Sequence, residues 1–248
     1  MVGCSGSYPG PDSPASCYLL EHDDEDGRTW RILMDLGSGA LGALHHYADP
    51  LAIDAVALSH LHPDHCLDLC GFYVLRKYHP QGAQPRLPVY GPGGTSERMA
   101  RAYDLPDGPG MAHEFDFRTY DTSFTIGPFT IEAIPVVHPV ESYGLRVTAG
   151  SATVAYTGDT APCEALDRIA AGVDLLLAEA SFRDRDENPP EIHLTGKDSG
   201  ELAARAGVGR LVITHVPPWF DKDDMLAEAV AVWDGPAELA RAGSTYEL

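Results

Sequence analysis

The chain has 248 residues, which is enough to bury a sizeable core without disulfides. It carries 17 basic and 37 acidic residues, so its formal net charge is -20. Binding to long nucleic acids and to anionic membranes relies on lysine and arginine, so this charge argues against both kinds of partner. It does not exclude a small anion that is held by metal ions.

Short apolar runs and helical stretches follow one another along the chain. The predicted strands are Cys17 to Leu20, Trp30 to Asp35, Ala55 to Ser59, Pro88 to Gly91, Phe129 to Val137, Ser142 to Thr148, Thr153 to Thr157, Leu175 to Glu179 and Leu211 to Thr214. The predicted helices are Cys66 to Tyr78, Ser96 to Ala102, Cys163 to Gly172, Gly196 to Ala206 and Asp223 to Val232. This order predicts sheets covered by helices, and we expect one domain over residues 1–248.

The cysteines and the apolar segments bear on the compartment. The five cysteines form no CxxC pair, and neither a signal peptide nor a run of roughly 18 apolar residues is visible. These features predict a cytoplasmic protein. Cys66 and Cys70 lie four positions apart; one interpretation makes them thiolate ligands, and the favoured one makes them small buried side chains.

The most informative segment is the hexapeptide that follows the strand predicted at Ala55 to Ser59. It holds four ligand-type side chains, namely His60, His62, Asp64 and His65. Imidazole and carboxylate groups together suit zinc, manganese or iron. One catalytic metal with an open position does not normally take four ligands from a single segment. The spacing therefore predicts two metals side by side.

Three further polar residues directly follow predicted strands, namely His138, Asp159 and His215. Side chains beyond strand ends can converge at one edge of a sheet, where sites commonly form. Together with the hexapeptide they supply seven candidate ligands. That number is enough for two metals that share one bridging carboxylate.

The order of these ligands resembles the metallo-β-lactamase superfamily. The matching motifs are His60-x-His62-x-Asp64-His65, then His138, then Asp159 within Thr157-Gly158-Asp159-Thr160, and finally His215. The resemblance covers nearly the whole chain. It implies an α/β fold, an αββα sandwich of two mixed sheets flanked by helices, with the metals at one edge between the sheets.

The same resemblance implies a role for each ligand. His60, His62 and His138 would hold the first metal, Asp64, His65 and His215 the second, and Asp159 would bridge them. Asp35, within Leu33-Met34-Asp35-Leu36-Gly37, matches a family aspartate that supports the ligands; its alternative role is a turn residue at a strand end. Zinc is the expected metal, and manganese and iron are the alternatives.

The predicted chemistry follows from the metals. A water that bridges two divalent ions loses a proton near neutral pH, and two metals about 3.5–4 Å apart can clamp a phosphoryl oxygen. Glu179 and His193 resemble a pair of the ribonuclease Z-like branch, in which a glutamate orients a histidine that acts as general acid. We count Asp64 with them as catalytic. The alternative for His193 is a residue that starts the following helix.

The spacing between two ligands bears on substrate size. Ribonuclease Z enzymes carry a Gly/Pro-rich arm that grips tRNA, inserted between the third metal histidine and the bridging aspartate. Here His138 and Asp159 are 21 positions apart (159 − 138), and two predicted strands fill that stretch. The missing arm and the acidic charge favour a small phosphodiester. Dimerisation is common in the branch, so a homodimer is an open expectation.

Further motifs closely resemble actinobacterial metallo-β-lactamase-fold cyclic nucleotide phosphodiesterases. They are Gly3-Cys4-Ser5-Gly6-Ser7, Leu41-Gly42-Ala43-Leu44, His138-Pro139-x-Glu141-Ser142-Tyr143-Gly144 and His215-Val216-Pro217-Pro218-Trp219. That resemblance implies hydrolysis of 3′,5′-cyclic AMP, with cyclic GMP as a second candidate, to the 5′-nucleotide. Ser5, Ser7 and Ser142 are candidate contacts to phosphate or ribose, and ordinary loop residues are the alternative.

Other functions stay open. One is hydrolysis of another small phosphodiester, such as a cyclic ribose phosphate or an RNA 3′ end. Thioester, lactone or β-lactam hydrolysis has no evident use for Glu179 and His193. A non-catalytic metal- or nucleotide-binding module would be expected to have lost ligands. A redox diiron relative would be expected to carry a glutamate in the hexapeptide and an added flavin domain.

Overall fold

The computed structural model describes residues 1–248, and its first sheet has five strands in the order β1-β2-β3-β4-β5. β1 and β2 form an antiparallel hairpin, and the remaining neighbours are parallel. The bounds are β1 Tyr18–Asp23, β2 Thr29–Met34, β3 Ala55–Ala57, β4 Leu87–Gly91 and β5 Phe115–Thr119. A turn joins β1 and β2, and in it the Asp24 carboxylate accepts the amides of Asp26 and Arg28.

The second sheet has seven strands in the order β12-β11-β10-β9-β8-β7-β6. β6 to β9 are antiparallel neighbours, and β9 to β12 are parallel neighbours. The bounds are β6 Ser123–Ile126, β7 Phe129–Pro135, β8 Tyr143–Ala149, β9 Ala152–Tyr156, β10 Leu175–Glu179, β11 Leu211–Thr214 and β12 Ala237–Leu239.

Helices cover the outer face of each sheet. The bounds are α1 Ala40–Leu44, α2 Pro63–Cys66, α3 Leu69–Tyr78, α4 Thr95–Ala102, α5 Ala165–Ala170, α6 Gly196–Ala206 and α7 Lys222–Val230, with a 3-10 turn at Pro50–Ala52. None of these helices has the length and apolar character that crossing a membrane requires. The layers are helices, sheet, sheet and helices, so the predicted αββα sandwich of two mixed sheets is confirmed.

Three apolar clusters hold these layers together, and the alternation of side chains along the strands creates them. On β2, Leu33 packs under the helices while Ile32 and Met34 face the other sheet. On β10, Leu176 faces α5 and α6 while Leu177 points between the sheets. Both faces of these strands are buried, which explains their nearly continuous apolar sequence.

The predicted elements differ from the structure at five places. β5, β6 and β12 were not predicted, and neither was the short α1. The helix predicted from Cys66 is wrong at its start, because α2 ends there and α3 begins at Leu69. Asp68, between them, turns its carboxylate to the amide of Leu41, 2.8 Å away.

Candidate functional site

The chemistry-bearing residues lie at one edge of the sandwich, because each follows the carboxyl end of a strand. Asp35 follows β2, and the hexapeptide follows β3 after Leu58 and Ser59. On the other sheet the equivalent residues follow β7, β9, β10 and β11, which run in one direction. They are His138, Asp159, Glu179 (the last residue of β10) and His215. The two sheets therefore supply the site from opposite sides.

The first cluster, which we call the outer donor group, consists of His60, His62 and His138. His62 Nδ1 lies 2.9 Å from His60 Nε2 and 3.3 Å from His138 Nε2. His60 is buried, whereas His62 and His138 are half-buried. The outer donor group therefore has an open side.

The second cluster, which we call the inner donor group, consists of Asp64, His65, Asp159 and His215, and all four are buried. The Nε2 atoms of His65 and His215 lie 3.0 Å apart. Asp64 Oδ2 is 3.2 Å from His215 Nε2, and Asp159 Oδ2 is 3.4 Å from the same atom. Four potential ligand atoms thus converge from both sheets.

Asp159 stands between the two groups. Its Oδ2 lies 3.3 Å from His65 Nε2 in the inner group and 3.8 Å from His60 Nε2 in the outer group. Its Oδ1 is buried and has no hydrogen-bond partner. An unpaired buried carboxylate oxygen is costly, and a cation is the kind of partner that would satisfy it.

The spacing of these atoms fits divalent metals. A tetrahedral zinc with nitrogen ligands at about 2.0–2.1 Å separates neighbouring ligand atoms by roughly 3.3 Å. The donor atoms of each group all lie within 4.8 Å of one another, and the closest pair, His60 Nε2 and His62 Nδ1, is 2.9 Å apart. The His/Asp clusters of this fold are therefore suited to bind metal ions.

Hydrogen bonds fix which ring nitrogen of each histidine faces the cluster. The Nδ1 of His138 lies 2.9 Å from the Ile192 carbonyl oxygen, which only accepts, so this nitrogen carries the proton. His215 Nδ1 lies 2.8 Å from Ser181 Oγ, whose own proton goes to the His215 carbonyl. In both rings Nε2 is therefore the unprotonated nitrogen, whose lone pair can bind a metal.

Asp35 supports the inner donor group. It is buried, and its Oδ2 lies 2.7 Å from His65 Nδ1. The hydroxyls of Ser59 and Tyr156 donate to the same oxygen at 2.8 and 3.0 Å. The Asp35 backbone has φ 60, an uncommon conformation for a residue with a side chain. Such strain is maintained only where the surroundings enforce it.

Burial and neighbouring charges set the protonation of the donors. Burial, with the charge of His65, lowers the pKa of His60 well below its usual value, which keeps its imidazole neutral. Burial alone would raise the pKa of Asp159, but the facing His215 and His65 hold it well below its usual range. The neutral imidazole of His60 and the ionised carboxylate of Asp159 are the forms that bind metals.

Glu179 and His193 form a third cluster beside the inner donor group. His193 Nδ1 lies 2.9 Å from Glu179 Oε1 and 4.0 Å from Asp159 Oδ2. Burial by itself lowers the pKa of His193, but the Glu179 carboxylate outweighs it and raises the pKa to about 9. The same Glu179 oxygen accepts the amide of Thr160 at 2.8 Å, which ties the Asp159 loop to His193.

The three serines predicted as substrate contacts have different surroundings. Ser5 and Ser142 are buried, and their hydroxyls donate to the carbonyls of Tyr8 at 2.9 Å and Asp159 at 3.0 Å. Ser7 is exposed, and its amide lies 3.5 Å from His215 Nε2. Contact of these serines with a substrate stays a prediction.

The cysteines lie outside the donor clusters. Burial raises the pKa of the Cys66 thiol to about 12, and the thiol donates to the His62 carbonyl at 3.3 Å. Burial also raises the pKa of Cys70. A thiol that resists ionisation is a poor metal ligand, which agrees with the interpretation of Cys66 and Cys70 as packing residues.

Sequence reasoning missed the residues that hold the donors in place. Ser59 and Ser181 each hydrogen-bond a donor histidine, and Tyr156 supports Asp35. Ser59 adjoins His60, so its position in the motif was an available signal. Ser181 and Tyr156 reach their partners only through the packing of the second sheet, which no spacing in the sequence indicates.

Comparison with protein families agrees with this geometry. A model described as the beta-lactamase superfamily domain matches residues 30–216. The chain belongs to this superfamily. An uncharacterized protein of Mycobacterium tuberculosis is 44% identical over 253 residues, which cover 100% of this chain and 91% of that protein.

Two further relatives have names that describe an activity. A Bacillus subtilis protein named probable metallo-hydrolase YhfI is 30% identical over 250 residues, covering 100% of this chain and 98% of that protein. Its crystal structure matches with a TM-score of 0.86 at 29% identity, over 100% and 98% of the two chains. Ribonuclease Z of Mycobacterium bovis is 30% identical over 243 residues, covering 88% and 85%. The predicted superfamily and its ribonuclease Z-like branch are thus confirmed.

Proposed function

We propose that the protein is a dinuclear metal-dependent phosphodiesterase that hydrolyses 3′,5′-cyclic AMP, and cyclic GMP as a second substrate, to the 5′-nucleotide. The observation that carries the proposal is the hydrogen bond between Glu179 and His193 beside a full set of donors. A hydrolase of lactones, thioesters or β-lactams has no evident need for this pair. Metallo-hydrolase and ribonuclease Z are names of relatives, so they support the reaction class.

Each residue has a proposed role. The outer donor group would hold one metal, Asp64, His65 and His215 the other, and Asp159 would bridge them. When bound, two divalent ions, zinc in the first place and manganese or iron otherwise, activate a water and polarise a phosphoryl oxygen. Asp35 keeps His65 oriented through its 2.7 Å hydrogen bond.

His193 is the proposed general acid. The Glu179 carboxylate holds its ring and keeps it protonated at neutral pH, since the pKa is raised to about 9. As the oxygen of water bonds to phosphorus, the bond from phosphorus to the 3′ oxygen breaks, and His193 gives its proton to that oxygen. The product then carries a 3′ hydroxyl and a 5′ phosphate.

The short stretch of chain between His138 and Asp159 favours a small substrate over tRNA. β8 and β9 fill it, and they pair with each other at the centre of the second sheet. No tRNA-gripping arm is inserted there. The formal charge of -20 also opposes binding of long nucleic acids. We keep a small phosphodiester as the partner, with a cytoplasmic location, a single domain and a homodimer as accompanying predictions.

The test combines metal analysis with a substrate panel on one preparation. Protein loaded with zinc, manganese or iron is assayed on cyclic AMP, cyclic GMP, a 2′,3′-cyclic phosphate, a tRNA 3′ precursor, a thioester and a β-lactam. We expect two metal equivalents and 5′-AMP as the chromatographic product from cyclic AMP. Cleavage of other phosphodiesters with both cyclic nucleotides left intact would refute the substrate. Activity on the thioester or β-lactam alone would refute the reaction class.

A further inference from the structure

Two aromatic side chains stand exposed next to each other near the donor groups. Tyr8 is 42% exposed and Trp219 is 59% exposed. Their ring centroids lie 5.4 Å apart with an interplanar angle of 31°. Exposed aromatic surface is unfavourable in water, and a pair of such rings offers two faces or edges to a planar ligand.

The loops that carry the pair reach the inner donor group. The amide nitrogen of Ser7, the residue before Tyr8, is 3.5 Å from His215 Nε2. Consecutive Cα atoms are about 3.8 Å apart. The Tyr8 side chain is therefore attached to the residue next to the one whose amide contacts His215. Trp219 follows His215 by four positions in the loop after β11. Both rings therefore belong to loops that form the site.

The two loops are locked together. The amide of Gly6 donates to the Val216 carbonyl at 3.1 Å. A Cβ on Gly6 would lie 2.1 Å from the His215 carbonyl oxygen, so only glycine permits this approach. Ser7 has φ 62, a strained conformation for a residue with a side chain. The Tyr8 backbone is fixed by the Ser5 hydroxyl at 2.9 Å.

We infer that Tyr8 and Trp219 form a stacking subsite for the nucleobase of the substrate, an assignment that rests on the proposed function. Base stacking on aromatic rings needs no positive charge on the protein, which suits a chain with a formal charge of -20. Every base has a π-face, so the subsite accepts adenine and guanine alike. The selectivity it supplies is for phosphodiesters that carry a flat aromatic group.

The first experiment compares a nucleotide with its base-free analogue. Trp219→Ala and Tyr8→Ala are assayed on cyclic AMP and on a 3′,5′-cyclic ribose phosphate that has hydrogen in place of the base. We expect KM for cyclic AMP to rise roughly tenfold, with a clearly smaller change for the base-free diester, and Trp219→Phe to restore most of the loss. Equal losses on the two substrates would overturn the subsite.

A matched control separates stacking from a general effect of removing an aromatic ring. Tyr47 is 42% exposed, as Tyr8 is, but it belongs to the turn after α1. Tyr47→Ala is expected to leave both KM values unchanged. Melting temperatures of all variants show whether each one is folded.

The second experiment does not depend on turnover. Adenosine is titrated into metal-free protein while tryptophan fluorescence is followed, with ribose as the comparison. We expect adenosine to quench the tryptophan fluorescence of the wild-type protein and ribose to have no effect. Adenosine should not quench the fluorescence of the Trp219→Phe variant. Quenching without cyclic nucleotide hydrolysis would refute the proposed function and leave the subsite standing. Hydrolysis with identical adenosine responses of wild type and Trp219→Phe would refute the subsite alone.

Discussion

The outer and inner donor groups both contain histidines but differ in enclosure and in the number of carboxylates. All four inner donors are buried, and Asp35 and Ser181 hold the inner histidines from behind. Two of the three outer donors are half-buried, and the backbone carbonyl of Ile192 holds His138. The inner group also contains two carboxylates, whereas the outer group shares only that of Asp159. This difference indicates that the packing of the sheets fixes the inner group, while the outer group is open to solvent on one side.

The largest effect should come from a residue that belongs to neither donor group. His193→Ala removes the proposed general acid but alters no residue of the two donor groups. Turnover should therefore fall about 10²–10⁴-fold, while two equivalents of metal stay bound. Metal analysis and steady-state kinetics on one sample check this. His113→Ala, at an exposed histidine away from the site, serves as the control. Unchanged turnover would remove His193 from the mechanism.

The next effect tests whether the inner group depends on its support. Asp35→Asn keeps the size of the side chain but removes the charge facing His65 Nδ1 at 2.7 Å. Metal affinity at the inner group should fall about 10–100-fold, with little change at the outer group. Competition with a chromogenic chelator measures both affinities, and the melting temperature reports on the fold. An equal loss of metal affinity at the two groups would contradict the proposed dependence of the inner group on Asp35.

A smaller effect should be visible in the unaltered protein. The inner group is fully buried and has two carboxylates, whereas the half-open outer group shares only one. The inner group should therefore have the higher affinity for a divalent cation. We therefore expect a chelator to remove one metal equivalent at about tenfold lower concentration than the other. His138→Ala should weaken only the more easily removed equivalent. Simultaneous release of both from the wild type would contradict the distinction.

The smallest effect concerns the pH profile. Glu179 raises the pKa of His193 to about 9, so the acid is protonated below that pH and loses its proton as pH rises through it. Glu179→Gln removes the charge that raises the pKa, so the basic limb of kcat should move to lower pH. Glu187→Gln, at an exposed glutamate, is the control. If the basic limb did not move, Glu179 would not control the pKa of His193.

The sequence predicted the interior of each sheet better than its edges. The strands missed, β5, β6 and β12, all lie at sheet edges. An edge strand has one unpaired side and tolerates polar residues. Asp116 and Arg118 therefore interrupt the apolar run in Phe115–Thr119, and Ala237–Leu239 is only three residues long. The central strands are buried on both faces, and their continuous apolar sequence made them visible.

The candidate site shows a similar division. The seven donors were predicted because histidine and aspartate carry a recognisable chemistry at motif spacing, and the structure brings all seven to one edge. The unpredicted groups that orient them are two serines, a tyrosine and a backbone carbonyl, which are common everywhere. Their contribution depends on positions such as that of Ile192, whose carbonyl meets His138 over a separation of 54 residues.

The distances along the chain also set when the site can form. His65 and His215 are 150 residues apart, and Ser7 and His215 are 208 apart. Closing loops of that length costs chain entropy before contacts offset it, whereas the hexapeptide needs only a local turn. We therefore expect the inner donor group to form late in folding. A ribosome has translated nearly the whole chain before a metal ion can meet a complete set of inner donors.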